Sequence, residues 1–171
     1  MDRLGFIHED LDIRILILFV LRRLSGAVDP ETLLELCMCD GGVGYFEYSD
    51  CLNALIQNGH VQESEDGYQI TEKGVRNALT VEGSLPYSVR VKAEKLIAPV
   101  DERLRREAMI TARHENTDAG CIVHLAMGDG KGEVIDLRFL CAGEEQAKQI
   151  EKKFRRGAEA YYQKIVALLT E

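Results

Sequence analysis

Between Asp29 and Leu79 the chain reads as helix, turn, helix, two short strands and a further helix start, and few folds accept that order in so short a span. Asp29-Pro30-Glu31 sets an N-cap aspartate before a proline in the first turn, and Leu33, Leu34, Leu36 and Cys37 supply a buried face. Asp40-Gly41-Gly42-Val43-Gly44 is then a glycine-rich turn. The next helix is predicted from Tyr45 to Asn58, burying Tyr48, Cys51, Leu52, Leu55 and Ile56, with Asn58-Gly59 as its C-cap. His60 to Glu65 alternates as a strand, Asp66-Gly67 reads as a hairpin turn, and Tyr68-Gln69-Ile70 returns. Thr71 caps a helix that runs to about Leu79.

This order is that of a winged helix-turn-helix, in which Tyr45–Asn58 is the helix that such folds present to DNA and the hairpin is the wing. The candidate base contacts are Tyr45, Glu47, Ser49, Asp50 and Asn53 on that helix, with Gln62 and Tyr68 from the wing. A carboxylate can accept from cytosine and an asparagine can read adenine, so the surface carries information. Its charge argues the other way. Residues 1–80 hold six basic side chains against fourteen acidic ones, whereas residues 81–171 balance, so the whole net charge of −8 lies in the half expected to face phosphate. The helix has no lysine or arginine, and the wing tip Glu63-Ser64-Glu65-Asp66 is acidic as well.

Upstream, Leu11 to Leu24 is apolar around most of a helical circumference, through Leu11, Ile13, Ile15, Leu16, Ile17, Leu18, Phe19 and Val20, which predicts a helix buried on more than one side. Arg22 and Arg23 near its end suit the negative helix terminus; they are phosphate-contact candidates or simply a solvated helix end.

Downstream, Leu85-Pro86 opens a helix to about Ile97, Pro99 breaks or restarts it, and Asp101–Arg106 is a charged connector. Arg103, Arg105 and Arg106 form its basic cluster, a second set of phosphate-contact candidates or a solvated face. Glu107–His114, Cys121–Met127 and Val134–Cys141 are predicted strands of an antiparallel meander, the last with Ile135, Leu137, Phe139 and Cys141 inward. Glu144 to Leu169 is a long helix whose stripe Ala147, Ile150, Phe154, Ala158, Tyr161, Ile165 and Leu168 covers that sheet or a partner's copy of it. The predicted class is α+β: a winged helix-turn-helix over 1–80, a helical connector over 81–106, and a sheet-plus-helix domain over 107–171 for dimerisation or ligand sensing.

Two sets of strings carry a resemblance. Leu52-Asn53-Ala54-Leu55-Ile56-Gln57-Asn58-Gly59-His60-Val61, followed by a hairpin ending Tyr68-Gln69-Ile70-Thr71-Glu72-Lys73-Gly74, resembles the helix, wing and closing turn of bacterial winged-helix regulators. Leu85-Pro86-Tyr87-Ser88-Val89-Arg90 and Gly143-Glu144-Glu145-Gln146-Ala147-Lys148-Gln149-Ile150 resemble a bacterial family known only as a domain of unknown function, over nearly the whole chain. The first resemblance implies a transcriptional regulator by fold analogy; the second implies membership and no activity.

Other chemistry finds little footing. Cys37, Cys39, Cys51, Cys121 and Cys141 are odd in number and lack a disulfide-framework or Cys-x-x-Cys spacing, so they are read as structural thiols in a reducing compartment rather than as a metal site with His60. None of His8, His60, His114 and His124 sits in a metal pair or beside a nucleophile motif; if the first two strands of the meander pair, His114 and His124 could share its open face. No catalytic residue, metal or cofactor is expected. No apolar run reaches membrane-spanning length, and residues 1–11 do not read as a secretory signal, which leaves the cytoplasm. The expectations are therefore a homodimeric regulator binding double-stranded DNA, or a winged-helix module whose acidic surface docks a protein partner.

Overall fold

A computed structural model describes residues 6–7 and 9–170. The chain is a mixed α+β protein that divides into two compact units, residues 1–104 and 105–171.

The first unit is built around α1 (Asp10–Arg22), in which Ile13 and every residue from Ile15 to Leu21 are buried. A helix this apolar stays in water only if others surround it. Around it pack α2 (Pro30–Cys37), α3 (Tyr45–Gln57) and α4 (Glu72–Val81). Leu11, placed by periodicity on the buried face, is 61% exposed.

The local caps act as their chemistry requires. Asp29 accepts from the Thr32 amide at 2.9 Å and from its hydroxyl at 2.7 Å, with Pro30 as first helical residue. Thr71 accepts from the Gly74 amide at 3.1 Å and donates to the Gly59 carbonyl at 2.7 Å, while Lys73 Nζ reaches the Asn58 carbonyl at 2.6 Å. The start of α4 is thus sewn to the end of α3. Gly74 is needed there because a Cβ would lie 2.2 Å from the His60 carbonyl oxygen.

Between these helices lies an antiparallel hairpin, β1 (Val61–Ser64) and β2 (Gly67–Ile70), paired from Val61–Ile70 to Ser64–Gly67. The turn is Glu65-Asp66, one residue earlier than the sequence predicts. Gly67 is the first residue of β2, with φ at +114°, and its backbone is pressed against Val28, which exchanges bonds with Tyr68 at 2.8 and 3.0 Å. The extra bridge draws Gly67 out of the turn and into the sheet.

A short 3-10 turn, Glu82–Ser84, leads to α5 (Tyr87–Ala108), which runs on past Pro99. The proline removes one backbone bond without ending the helix. Leu85, Val89, Ala93 and Ile97 are buried in the same core as α1, and the Asp101 carboxylate accepts from Ser25 N at 2.8 Å and Ser25 Oγ at 2.7 Å. The segment read as a connector over 81–106 thus belongs, up to Leu104, to the first unit.

The second unit holds β3 (Ile110–Thr117), β4 (Gly120–Gly128) and β5 (Glu133–Cys141) as an antiparallel sheet in that order, followed by α6 (Glu144–Thr170). β3 starts three residues later than predicted because α5 takes Glu107 and Ala108. Arg113 pairs with His124 across β3 and β4, so His124 lies on the open face beside Asp136, 3.1 Å away, whereas His114 turns to the helix side and meets Glu151 at 2.6 Å. The two histidines, expected to share the open face, stand on opposite faces; His8 lies outside the described residues. Ala147, Phe154 and Ala158 of α6 pack on Ala112, Cys121, Val123 and Leu125. The helix is broken at Gly157, whose φ and ψ are −150° and 33°.

Candidate macromolecule-binding face

The first unit gathers the sequence-predicted contacts unevenly. Tyr45, Ser49 and Asn53 lie one turn apart on α3 and line a groove of about 280 Å³ with Tyr68 of β2 and with Pro30, Glu31 and Leu34 at the start of α2. Tyr48 and Leu52 form its floor. Burial pushes up the pKa values of Tyr48 and Tyr68, that of Tyr68 also through its hydrogen bond with Glu63, and the Tyr48 hydroxyl is buried. Tyr45 is 60% exposed, and Phe46 beside it, edge-on at 5.6 Å between ring centres, is 79% exposed. Two large aromatics are thus left in water at one helix start.

Three further candidates stand apart from the groove lining. Glu47 is half-buried and folds back onto the helix start: its Oε2 occupies the place a Gly44 side chain would take, 2.2 Å from that Cβ position. This is the third helical position, where a carboxylate turns back toward orphaned amides. Asp50 is exposed on α3 and does not line the groove. Gln62 contacts Gln69 across the hairpin, Nε2 to Oε1 at 3.5 Å.

The basic candidates are placed differently. Arg22 forms a forked pair with Glu82, Nη2 lying 2.9 Å from Oε1 and 2.8 Å from Oε2. Arg23 reaches the same carboxylate at 3.1 Å and Glu94 at 3.3 Å, and stacks its guanidinium on the Phe19 ring at 3.5 Å. These two arginines staple α1 to the segment after α4. Arg103 is close enough to help hold down the Asp29 carboxyl, although the Thr32 hydrogen bonds contribute most. Arg105 and Arg106 fall in the second unit.

At the hairpin, Asp29, Glu63, Glu65 and Asp66 line a second, shallow cleft of about 160 Å³. The neighbouring groove has one acidic lining residue, Glu31. Among the described residues no three His, Cys, Asp or Glu side chains gather as a metal would require. Cys37 and Cys39 have pKa values raised by burial, Cys39 to about 11, which suits thiols that stay protonated. His60 contacts Asn77 at 3.3 Å.

Sequence reasoning missed Asp40. Its buried carboxylate accepts from the amides of Phe6 at 2.9 Å, Ile7 at 3.1 Å and Gly42 at 3.2 Å, pinning the segment before α1 to the turn before α3. An acidic residue at the head of a glycine-rich turn was the available signal.

Residues 13–169 match the family model described as a domain of unknown function, DUF4364. The chain belongs to this family. The match takes in α2, α3, the hairpin, α4, α5 and the whole sheet, and nearly all of α1 and α6, so the groove described above lies within it. No curated protein and no solved structure matches the chain. Among the described residues no helix is long and apolar enough to cross a membrane.

Proposed function

We propose that the first unit is a winged helix-turn-helix that docks on double-stranded DNA, and that this family member is a homodimeric transcriptional regulator of the bacterial cytoplasm, a binding protein rather than an enzyme. The order α1, α2, α3, hairpin, α4 supports the fold reading. The observation that carries the DNA reading is the convergence of Tyr45, Ser49, Asn53 and Tyr68, from the second helix of the pair and from the wing, on one groove. Hydroxyl and amide groups on that face are suited to base edges and phosphate oxygens, and Tyr68 places the wing at the same surface.

A second reading is favoured by a specific observation: Arg22 and Arg23 commit their charge to Glu82 and Glu94, while Glu31 and the wing-tip acids border the groove. On this reading the exposed Tyr45 and Phe46 anchor a basic protein partner.

A salt titration of binding to a random-sequence duplex, read by fluorescence anisotropy, separates the two. DNA docking requires binding at low salt whose affinity falls linearly with the logarithm of salt concentration. An absence of binding at low salt, where phosphate contacts are strongest, would reject the DNA reading and leave the protein partner.

A further inference from the structure

At one end of the second unit's sheet, five elements close around a cavity of about 540 Å³. α5 contributes its last turn, β3 its start, β4 its end, β5 its start, and α6 the segment around Gly157, where that helix is broken. Every lining residue falls within residues 105–171, so the cavity belongs to that unit alone. Its volume lies in the range of small-molecule sites, about 300–1,000 Å³.

The lining has two characters. Met109, Ile110, Met127 and Val134 make an apolar wall, and two of them carry thioethers that adapt to the shape of what they touch. That wall is not spent on the core: Met109 is 37% exposed and the other three are half-buried. The charged lining residues are Arg106, Arg155 and Arg156 against Asp129 and Glu159, an excess of cations in a chain whose net charge is −8. The Asp129 carboxylate is held at its own turn, where it accepts from the amides of Lys131 at 2.8 Å and Gly132 at 3.1 Å. Arg155 Nη2 donates to the Ala112 carbonyl at 2.6 Å, which fixes the guanidinium against β3 and uses one of its five N–H donors. Arg156 beside it is exposed. Guanidinium forks of this kind suit a group with paired anionic oxygens.

We propose that this cavity binds a small amphipathic organic anion, its apolar body against Met109, Ile110, Met127 and Val134 and its carboxylate or phosphate head on Arg155 and Arg156. A wholly apolar ligand would cover the arginines without answering their charge, and a bare inorganic anion would leave the apolar wall in water. A molecule with both parts matches both. The cavity is separate from the groove of α2, α3 and the hairpin, so the inference stands whether or not that groove meets DNA.

The test is a fluorescence titration of the full chain with anilinonaphthalene sulfonate, which joins an apolar ring system to one anionic head, and with phenylnaphthylamine, the same rings without that head. The sulfonate should bind at least about tenfold more tightly, as charge-assisted hydrogen bonds require. Arg156→Ala should weaken the sulfonate roughly tenfold and leave the neutral compound unchanged. Met109→Glu, which sets a carboxylate in the apolar wall, should weaken the sulfonate as well. Both positions are exposed, so circular dichroism and thermal melting should match the native chain. Phe139→Ser, in the separate apolar groove between α6 and β5, should leave both affinities as they are. Octanoate or phenyl phosphate should displace the sulfonate, and the better competitor names the head group. A native chain that does not bind the sulfonate, or binds the neutral compound as tightly, overturns the proposal. So do native-like affinities in both Arg156→Ala and Met109→Glu, loss of binding in Phe139→Ser, or displacement by neither competitor.

Discussion

Arg22 and Glu82 form a two-point pair at 2.8 and 2.9 Å, and Arg23 shares the same carboxylate. A pair of arginines at a helix end, read from sequence as phosphate-contact candidates or as a solvated helix end, pairs with Glu82 inside the first unit. Burial alone would raise the Glu82 pKa, but the hydrogen bonds from Arg22 and Arg23 outweigh it and hold the carboxyl below its ordinary range. A carboxyl depressed in the folded state contributes stability that is present above the unfolded pKa and lost as pH falls through the folded one.

Urea unfolding of the native chain should therefore show stability falling as pH drops below about 4.5. Glu82→Gln should cost about 1–2 kcal/mol at neutral pH, where the partly exposed pair is screened, and should flatten that acid limb. An unchanged acid limb in the variant would show that other carboxylates carry it.

Asp40 holds three amides in a site with 2% exposure. Its replacement leaves those donors without an acceptor. Asp40→Ala should lower the unfolding free energy by about 2–3 kcal/mol and expose the amides of Phe6 and Ile7 to hydrogen exchange. A loss under half a kilocalorie would mean that water satisfies the donors as well as the carboxylate does.

Gly67 has φ at +114°, and a Cβ there would lie 2.2 Å from the Val28 carbonyl oxygen. Gly67→Ala must therefore break the Val28–Tyr68 bridge or displace the hairpin. The expected cost is about 2 kcal/mol or more, with loss of protection at the Tyr68 amide. Retained protection there would contradict this account of the turn.

Asn53 is exposed on α3 and borders the groove, so its truncation tests function without touching the core. Asn53→Ala should leave the melting temperature within a degree or so and weaken binding to a duplex selected from a random pool by roughly tenfold. Asp50→Ala, outside the groove lining, should change that affinity much less. Equal losses at both positions would place the contact surface elsewhere on α3.

Much of the element order was legible because short-range chemistry dictates it. Asp29 before Pro30, Thr71 three residues before Gly74, and the apolar spacing of α3 act within one or two turns, and each appears where the sequence predicts. The errors lie where a distant segment intervened. The hairpin turn moved by one residue because Val28 pairs with Tyr68, and α5 outran Pro99 and took the first residues assigned to β3. Of the predicted contact residues, Tyr45, Ser49, Asn53 and Tyr68 converge; Glu47 does not, because its carboxylate serves the helix start.

The sequence by itself determined the helices, the hairpin, the meander and the acidic balance of the first half, since periodicity, caps and charge are local properties of the chain. Only the tertiary structure decided how those parts are used. It committed Arg22 and Arg23 to Glu82, brought α2, α3 and β2 to a common groove, and left Leu168 and Leu169 at the end of α6 exposed. Each of these depends on residues far apart in the chain, and a one-dimensional pattern records that a side chain is apolar or charged without recording which neighbour will meet it.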